Sequence, residues 1–362
     1  MKNYYLFFEL IQVAIGERNT LSQIPTDEEW QCLFDESVRQ SLVGVMMSGM
    51  ERLYKQTATA KPPIKLFYQW VGVVTQIEQT NEKLNDAAAQ LNSIFKNGGV
   101  RSCVLKGQGV ARLYSEPLRR QPGDIDLWVE GSRENTLDFL KKNFLGFGHV
   151  VLHHVEARII DGVESEIHFI PIWLYNPIHN RQLQRYFKKH ADEQFSHFDH
   201  QLSFCYSTSA FNGVYILVHN FHHLLEEGVG LRQVIDYYYV LKHLSDLERK
   251  NAFNTIKKIG CGKFAGALMY VLGEVCALDR SQMICEPNAK SGKRLLSEIM
   301  QTGNFGQFDT RFDMSVKRTA YSRNKRKFTR WLQLAKDYPS EVLYIPAWKL
   351  WHWCWRKSKG YV

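Results

Sequence analysis

The chain has 362 residues, of which 44% are hydrophobic and 23% are charged, a composition that excludes disordered and fibrous proteins and is typical of a soluble globular one. No stretch has the roughly 18 to 20 consecutive, predominantly apolar residues of a membrane-spanning helix, and the seven scattered cysteines form no Cys-x-x-Cys pair. We therefore expect a cytoplasmic protein with reduced thiols and no integral membrane association.

The formal net charge of +9 is concentrated at the C-terminal end. Residues 311–362 contain 13 Lys and Arg against 3 Asp and Glu, whereas the other 310 residues contain 33 basic and 34 acidic side chains. The basic character therefore belongs to the tail of the chain.

Residues 1–98 are predicted to be an N-terminal helical region of three to five helices. The apolar start is interrupted by Glu9 and lacks the small-residue cleavage site of a signal peptide, so it is typical of an amphipathic helix. Thr26 followed by three acidic residues indicates a helix N-terminus. A longer helix is predicted over residues 64–96, before a Gly-Gly stop.

An α/β core is predicted over residues 99–200. Its first elements are a strand, a helix, a strand and a helix, over residues 103–105, 108–114, Ile125–Val129 and Arg133–Asn143. Two β-rich segments between Val150 and Ile170 then surround Asp161-Gly162, a strong hairpin signal. Over residues 171–200 the pattern weakens, and we expect a loop-rich crossover with one short helix.

Residues 201–314 are predicted to be a C-terminal helical domain. The helical pattern is strong over residues 208–245, with a break at Glu227-Gly228-Val229-Gly230. Two further helices are predicted over residues 245–259 and 262–278, followed by a loop and one more helix.

Residues 315–362 form a basic, Trp-rich tail, with five of the nine Trp between Trp331 and Trp355. Pro339 and Pro346 divide it into a helix, a turn and a short helix. Basic and aromatic residues together suit contact with nucleic acid, because cations neutralise phosphates while aromatics stack on bases. The composition also suits a helix on a membrane surface. We favour a helical segment packed on the body of the protein with its basic face in solvent.

Asp124 and Asp126 are the strongest chemical signal in the chain. Successive side chains of a strand point to opposite faces, so the two carboxylates share one face while Ile125 and Leu127 share the other. Carboxylates this close repel each other and require a compensating cation. Hard oxygen ligands of this kind suit Mg²⁺ bound partly through substrate phosphates.

A third acid would strengthen the metal hypothesis, and the hairpin supplies two candidates. Glu164, Glu166 and His168 share one face of its second segment. A strand paired beside the strand of Asp126 would bring one of these Glu residues to the same cluster. Strand geometry alone leaves both Glu164 and Glu166 open.

These motifs resemble the DNA polymerase β-like nucleotidyltransferases. Within that superfamily the chain looks like the uncharacterised nucleotidyltransferase family of bacteria, at three motifs: Leu105-Lys106-Gly107, Arg120-Gln121-Pro122-Gly123-Asp124-Ile125-Asp126-Leu127 and Glu166-Ile167-His168. The resemblance continues in the helix that contains His219, Arg232 and Asp236, and so covers about residues 90–245. Lys106-Gly107-Gln108-Gly109 replaces the usual Gly-Ser, and Glu166 stands where Asp is common.

The resemblance implies an α+β fold, in which a small mixed β-sheet nucleotidyltransferase core is flanked by N-terminal helices and a C-terminal helical region. It also implies metal-dependent transfer of a nucleoside monophosphate from a nucleoside triphosphate (NTP) such as ATP to an acceptor hydroxyl, with release of pyrophosphate. Asp124, Asp126 and Glu166 would hold Mg²⁺ or Mn²⁺, and the acid-x-His pattern of the family favours Glu166 over Glu164. The acceptor stays open between a small molecule, a protein and RNA.

Further candidates for nucleotide binding surround the glycine turn. Gly107 and the amides after it, beginning with that of Gln108, open a helix N-terminus, which is a ready anion site. Lys106 adds a cation that reaches phosphate, points to solvent or pairs with Asp124. Arg120 either contacts phosphate in a bidentate manner or pairs with the carboxylates.

The remaining candidates lie on later elements. His168 either positions substrate or is structural. The resemblance makes Arg232 and Asp236 candidates for orienting nucleotide or acceptor, with a salt bridge between the two as the alternative. His219 and His223 share a helix face, but no third ligand completes a zinc set, so we expect them to make core or helix contacts.

Two alternatives to the enzyme stay open. One is a catalytically degenerate nucleotide- or protein-binding module with the same fold, which the missing Gly-Ser favours. The other is an RNA-directed enzyme or binder that acts through the tail.

Overall fold

The computed structural model describes residues 4–56, 61–144, 146–309 and 320–361, and of residues 320–326 it describes the backbone alone. The helices are Tyr5–Ile15 (α1), Asp27–Arg39 (α2), Val43–Gln56 (α3), Ile64–Asn97 (α4), Gln108–Ala111 (α5), Arg133–Asn143 (α6), Pro177–Ser196 (α7), Ser209–Glu226 (α8), Leu231–Lys242 (α9), Asp246–Lys258 (α10), Gly262–Cys276 (α11), Ala289–Thr302 (α12), Ala320–Ala335 (α13), Pro339–Val342 (α14) and Ile345–Ser358 (α15). The strands are Ser102–Val104 (β1), Ile125–Val129 (β2), His154–Ala157 (β3), Ser165–His168 (β4), Phe198–Asp199 (β5) and Phe204–Cys205 (β6).

The main sheet has the strand order β1-β2-β4-β3. β2 pairs antiparallel with β1 and parallel with β4, and β3 pairs antiparallel with β4. The turn between β3 and β4 has Asp161 and Gly162 at its centre, where the amide of Val163 donates to the carbonyl of Ile160 at 3.1 Å. A small mixed sheet in a mainly helical chain confirms the predicted α+β fold.

Two hydrophobic clusters form the interior. The larger one joins the N-terminal helices to α8–α12, and the smaller one fills the space between the sheet, α6 and the end of α4. α4 is 34 residues long and contributes to both, with Trp70 in the larger cluster and Phe95 in the smaller one. The sheet is therefore fixed to the helical body through one continuous helix.

Two helices differ from the prediction. α7 is a 20-residue helix where one short helix was expected. Pro177 stands in the first turn, where a backbone N–H would have no acceptor within the helix, so its missing N–H costs nothing. The side chain of Asn176 accepts hydrogen bonds from the first backbone amides. α5 is only four residues long and does not continue to Tyr114.

The described part of the tail lies against the body. The carboxylate of Glu341 is buried, accepts a hydrogen bond from the amide of Tyr175 at 2.8 Å and lies 2.7 Å from His179 Nδ1. Trp331 Nε1 donates to the carbonyl of Leu225 at 3.1 Å. Residues 315–319 lie outside the described residues, and the proposed contact with nucleic acid stays a prediction. Nowhere in the described ranges is there a helix with the length and apolarity to cross a bilayer.

Candidate active site

The parallel pairing of β2 and β4 determines the centre of the site. In its register Asp126 stands directly beside Glu166. Cross-strand partners share a face of the sheet, so both carboxylates point the same way. Asp126 is 2% exposed, whereas Asp124, just before β2, is exposed and lines the same cleft.

Two cationic groups compensate the buried carboxylate of Asp126. Lys106 Nζ lies 3.1 Å from its Oδ2, and His168 Nε2 lies 3.0 Å from its Oδ1. Burial alone would raise the pKa of Asp126, but Lys106 and His168 outweigh it and the pKa is lowered. Burial likewise would lower the pKa of His168, but its hydrogen bonds to Asp126 and Glu166 raise it to about 9. His168 is therefore a cation at neutral pH.

Glu166 lies between two imidazoles. Its Oε2 is 3.2 Å from His154 Nδ1 and 3.3 Å from His168 Nε2. His153 Nε2 in turn lies 2.9 Å from His154 Nδ1. Burial, with the charge of His168 next in size, lowers the pKa of His154 to about 4, so this imidazole is neutral at pH 7.

Lys106 is held from the helical side of the cleft as well. Its Nζ lies 3.0 Å from His219 Nε2 on α8, which lies 3.1 Å from His223 Nε2. Burial and the neighbouring Lys106 keep the pKa of His219 well below its usual range. Burial would lower the pKa of Lys106, but Asp126 and Asp124 outweigh it and raise that pKa. A neutral His219 therefore accepts from a charged Lys106.

Gly107 makes the turn between β1 and α5. Its backbone has φ 56° and ψ −113°, a left-handed conformation that favours glycine. The helix it opens is a single turn, so it offers a weaker dipole than the predicted helix would. The side chain of Gln108 donates to Asn85 on α4 at 2.9 Å, whereas the predicted role of Gln108 is that of its backbone amide.

Arg120 and Asp236 form a buried pair. Arg120 Nε and NH2 donate to the two oxygens of Asp236 at 2.7 and 2.8 Å, and the hydroxyl of Tyr114 donates to the same carboxylate at 2.7 Å. The partner of Arg120 is thus a helix residue and not the strand carboxylates that the sequence suggested. The salt bridge predicted between Arg232 and Asp236 is replaced by this pair.

Arg232 lies at the edge of the cleft. Its NH1 donates to the backbone carbonyls of Gln121 and Pro122 at 3.3 and 3.2 Å, and its guanidinium lies 5.3 Å from the centre of the Phe305 ring. Burial and the nearby Arg120 lower the pKa of Arg232 to about 10, so it is charged at neutral pH. Among the described residues its hydrogen bonds go to neutral carbonyls, and the nearby carboxylates of Asp236 and Asp124 partly balance its charge.

A cleft opens between the sheet and the helices α8 and α9. The lining residues are Lys106, Gly107, Arg120, Gly123, Asp124, Asp126, Ile216, His219, Asn220, Arg232, Gln233, Asp236 and Phe305. Eight of the ten residues predicted for the site either line this cleft or contact the carboxylates within it: Lys106, Gly107, Arg120, Asp124, Asp126, His168, Arg232 and Asp236. Glu166 joins Asp126 through its strand pairing.

Glu164 is not part of this group. It lies 3.1 Å from Arg158, and both side chains are largely exposed, at 77% and 81%. Two histidines of the site, His154 and His219, were not predicted. The position of His154 depends on the register of β3, which the sequence does not reveal. The spacing of His219 and His223 indicated only a helix contact.

A family model described as uncharacterised nucleotidyltransferase matches residues 26–277, which is more than half of the chain. The chain belongs to the uncharacterised nucleotidyltransferase family. No curated protein and no solved structure matches this nucleotidyltransferase. Membership in the family supports nucleotidyl transfer as the general activity and a nucleotide as the substrate.

Proposed function

We propose that the protein transfers a nucleoside monophosphate from an NTP to an acceptor hydroxyl, with Mg²⁺ or Mn²⁺ as the metal and pyrophosphate as the leaving group. The observation that carries the proposal is the register of β2 and β4. It sets Glu166 beside Asp126, which lines a cleft together with Asp124, Lys106 and Arg232.

The carboxylates fit a divalent ion. Ligand atoms of Asp126, Glu166 and His168 lie within 4.8 Å of one another. Lys106 Nζ is 3.1 Å from Asp126 Oδ2, and the two groups form an ion pair. The buried Oδ2 atom accepts no hydrogen bond within the described residues. Asp124, Asp126 and Glu166 would hold the ion. A bound divalent ion supplies charge that polarises the phosphate and lowers the pKa of the attacking hydroxyl.

The cations of the cleft bind the triphosphate in this proposal. Arg232 presents a guanidinium whose recorded hydrogen bonds are to backbone carbonyls, and such a group suits phosphate oxygens. Lys106 is charged and is held in place by His219. Arg120 is engaged with Asp236 and fixes the position of α9, which carries Arg232.

In the reaction the acceptor oxygen forms a bond to the α-phosphorus. The bond from that phosphorus to the oxygen that bridges to the β-phosphate breaks, and pyrophosphate leaves with the electron pair. The proton of the acceptor hydroxyl passes to a carboxylate. Glu166 suits this role when it is not a metal ligand, because its side chain is 27% exposed against 1% for Asp126.

The test is incubation with labelled NTPs, Mg²⁺ and a panel of small-molecule, protein and RNA acceptors. Asp124→Asn is the main variant, because Asp124 is exposed and its loss spares the fold. Glu164→Gln is the matched control, since Glu164 precedes β4 as Asp124 precedes β2 and its exposed carboxylate pairs with Arg158. We expect turnover in the wild type and Glu164→Gln and loss of turnover in Asp124→Asn. If the wild type and an Asp124→Ala/Asp126→Ala variant bind Mg²⁺–NTP equally poorly, the proposal fails.

A second candidate is a module that binds nucleotides without transferring them. The observation in its favour is that Lys106 already places a cation at Asp126, while the helix after Gly107 is a single turn. Calorimetric binding of NTP with no turnover on any acceptor of the panel would support this function.

A further inference from the structure

We infer that His154 and His168 supply two nitrogen ligands, beside the carboxylate oxygen of Glu166, to a single metal position. This position binds a first-row transition ion in preference to Mg²⁺. The inference rests on the proposed function, because it concerns the identity of the ion at the same carboxylates. It adds two imidazoles to a site that the proposed function describes by its oxygens alone.

The distances around Glu166 are those of ligands that share an ion. Its Oε2 lies 3.2 Å from His154 Nδ1 and 3.3 Å from His168 Nε2. Ligand atoms about 2.1 Å from one ion are roughly 3.0 to 3.4 Å apart when their bonds meet at octahedral or tetrahedral angles. The two nitrogens therefore already have the required spacing from the carboxylate oxygen. An ion that binds there displaces the proton that His168 carries at neutral pH.

The sheet imposes this arrangement. His154 is paired with His168 across β3 and β4, and Asp126 is paired with Glu166 across β2 and β4. Glu166 and His168 are two residues apart on one strand, so all four side chains stand on the same face. Three adjacent strands thus present two imidazoles and two carboxylates at positions that the backbone fixes.

The surroundings add more nitrogen atoms. Ligand atoms of His153, His154 and His168 lie within 4.8 Å of one another.

The mixed ligand set decides the kind of ion. Imidazole nitrogen suits transition ions, whereas Mg²⁺ prefers oxygen ligands and retains several waters. Hydrogen bonds from two imidazoles to Glu166 would also produce short N–O distances, and the experiment has to separate these two explanations.

The probe is Mn²⁺ alone with the full-length protein, observed by pulsed electron paramagnetic resonance. We expect nitrogen modulation of the Mn²⁺ signal that changes frequency when the protein is labelled with ¹⁵N-histidine. Calorimetry should give Mn²⁺ a dissociation constant at least about tenfold lower than that of Mg²⁺. His154→Phe should weaken the modulation and raise the Mn²⁺ constant about tenfold or more, while the Mg²⁺ constant changes less than about threefold.

His243→Ala is the control variant, because it removes an exposed histidine at the end of α9. The labelling needs no substitution, so it stays decisive if His154→Phe unfolds. Mn²⁺ binding that depends on Asp126 but shows no modulation from histidine nitrogen would overturn the inference and leave the proposed function standing. Failure of the wild type to bind either ion, with or without NTP, would overturn both.

Discussion

Lys106 is the residue on which the electrostatics of the cleft depend. Its Nζ lies 3.1 Å from the buried carboxylate of Asp126, and its removal would leave that carboxylate with His168 alone. Removing one partner of a buried ion pair typically costs about 3–5 kcal/mol, because the other charge is left uncompensated.

We predict that Lys106→Met lowers the free energy of unfolding by roughly that amount and that Mg²⁺ restores much of it. An ion at 100 times its dissociation constant adds about 2.7 kcal/mol of stability. Thermal unfolding with and without Mg²⁺ measures both effects, with Lys141→Met, an exposed lysine of α6, as the control. Equal stabilisation of the wild type and Lys106→Met by Mg²⁺ would show that lysine and ion do not compete for Asp126.

The pair of Arg120 and Asp236 leads to a second prediction at this scale. Both side chains are buried and joined by two hydrogen bonds, so Asp236→Asn should cost about 3–5 kcal/mol of stability. Glu164→Gln breaks the exposed pair with Arg158 and should cost less than about 1 kcal/mol. Urea unfolding of the two variants provides the comparison, and similar losses in both would contradict the assignment of Arg120 and Asp236 as a structural pair.

At the scale of elements, the start of α9 is fixed by a close contact between backbones. A Cβ atom on Gly230 would lie 2.8 Å from the Cα of Asn304, whose side-chain oxygen accepts a hydrogen bond from Gln233 at 3.0 Å. The next residue, Phe305, has a left-handed backbone with φ 50°, and its ring lines the cleft. The contact therefore positions both Phe305 and the helix that carries Arg232.

Gly230→Ala should consequently destabilise the protein by about 1–3 kcal/mol, since backbone atoms have to move apart. Gly72→Ala is the matched control. Gly72 lies inside α4 with no atom within 4 Å of an added Cβ, so alanine should stabilise the helix by about 0.5–1 kcal/mol. Opposite signs in chemical denaturation would support the contact, and a neutral Gly230→Ala would refute it.

The elements also show what a sequence can and cannot predict. β2 and α6 have the predicted bounds, because an apolar run and a capped polar helix are local signals. α7 was predicted too short because a proline at the first turn of a helix resembles a proline in a loop. Asp126 and Glu166 could be placed together by assuming that their strands pair. His154 could not, because its place depends on the register of β3 against β4.

For the whole molecule, the cleft lies where the two hydrophobic clusters meet. Asp126 and Glu166 are on the sheet that covers the smaller cluster, and His219 and Arg232 are on helices of the larger one. Relative movement of the two parts would separate the carboxylates from the cations. The long helix α4 limits such movement because its residues belong to both clusters.

The tail contributes to the same body through Glu226 at the end of α8. Its carboxylate lies 2.7 Å from Lys349 and 3.1 Å from Lys327. Burial would raise the pKa of Glu226, but Lys349 and Lys327 outweigh it and lower the pKa from 4.5 to about 2. The pKa of Lys349 is not raised in return, because burial lowers it more than Glu226 raises it.

This shift makes stability depend on pH in a defined range. A carboxyl group whose pKa falls on folding stabilises the folded state fully above its unfolded value and loses that contribution as pH falls from about 4.5 towards 2. A shift of this size corresponds to roughly 3 kcal/mol. The stability difference between the wild type and Glu226→Gln should therefore be largest near pH 7 and shrink below pH of about 4.5. Guanidinium unfolding at several pH values, followed by Trp fluorescence, measures it. A difference that stays constant from pH 7 down to about 3 would mean that Glu226 does not hold the tail through its charge.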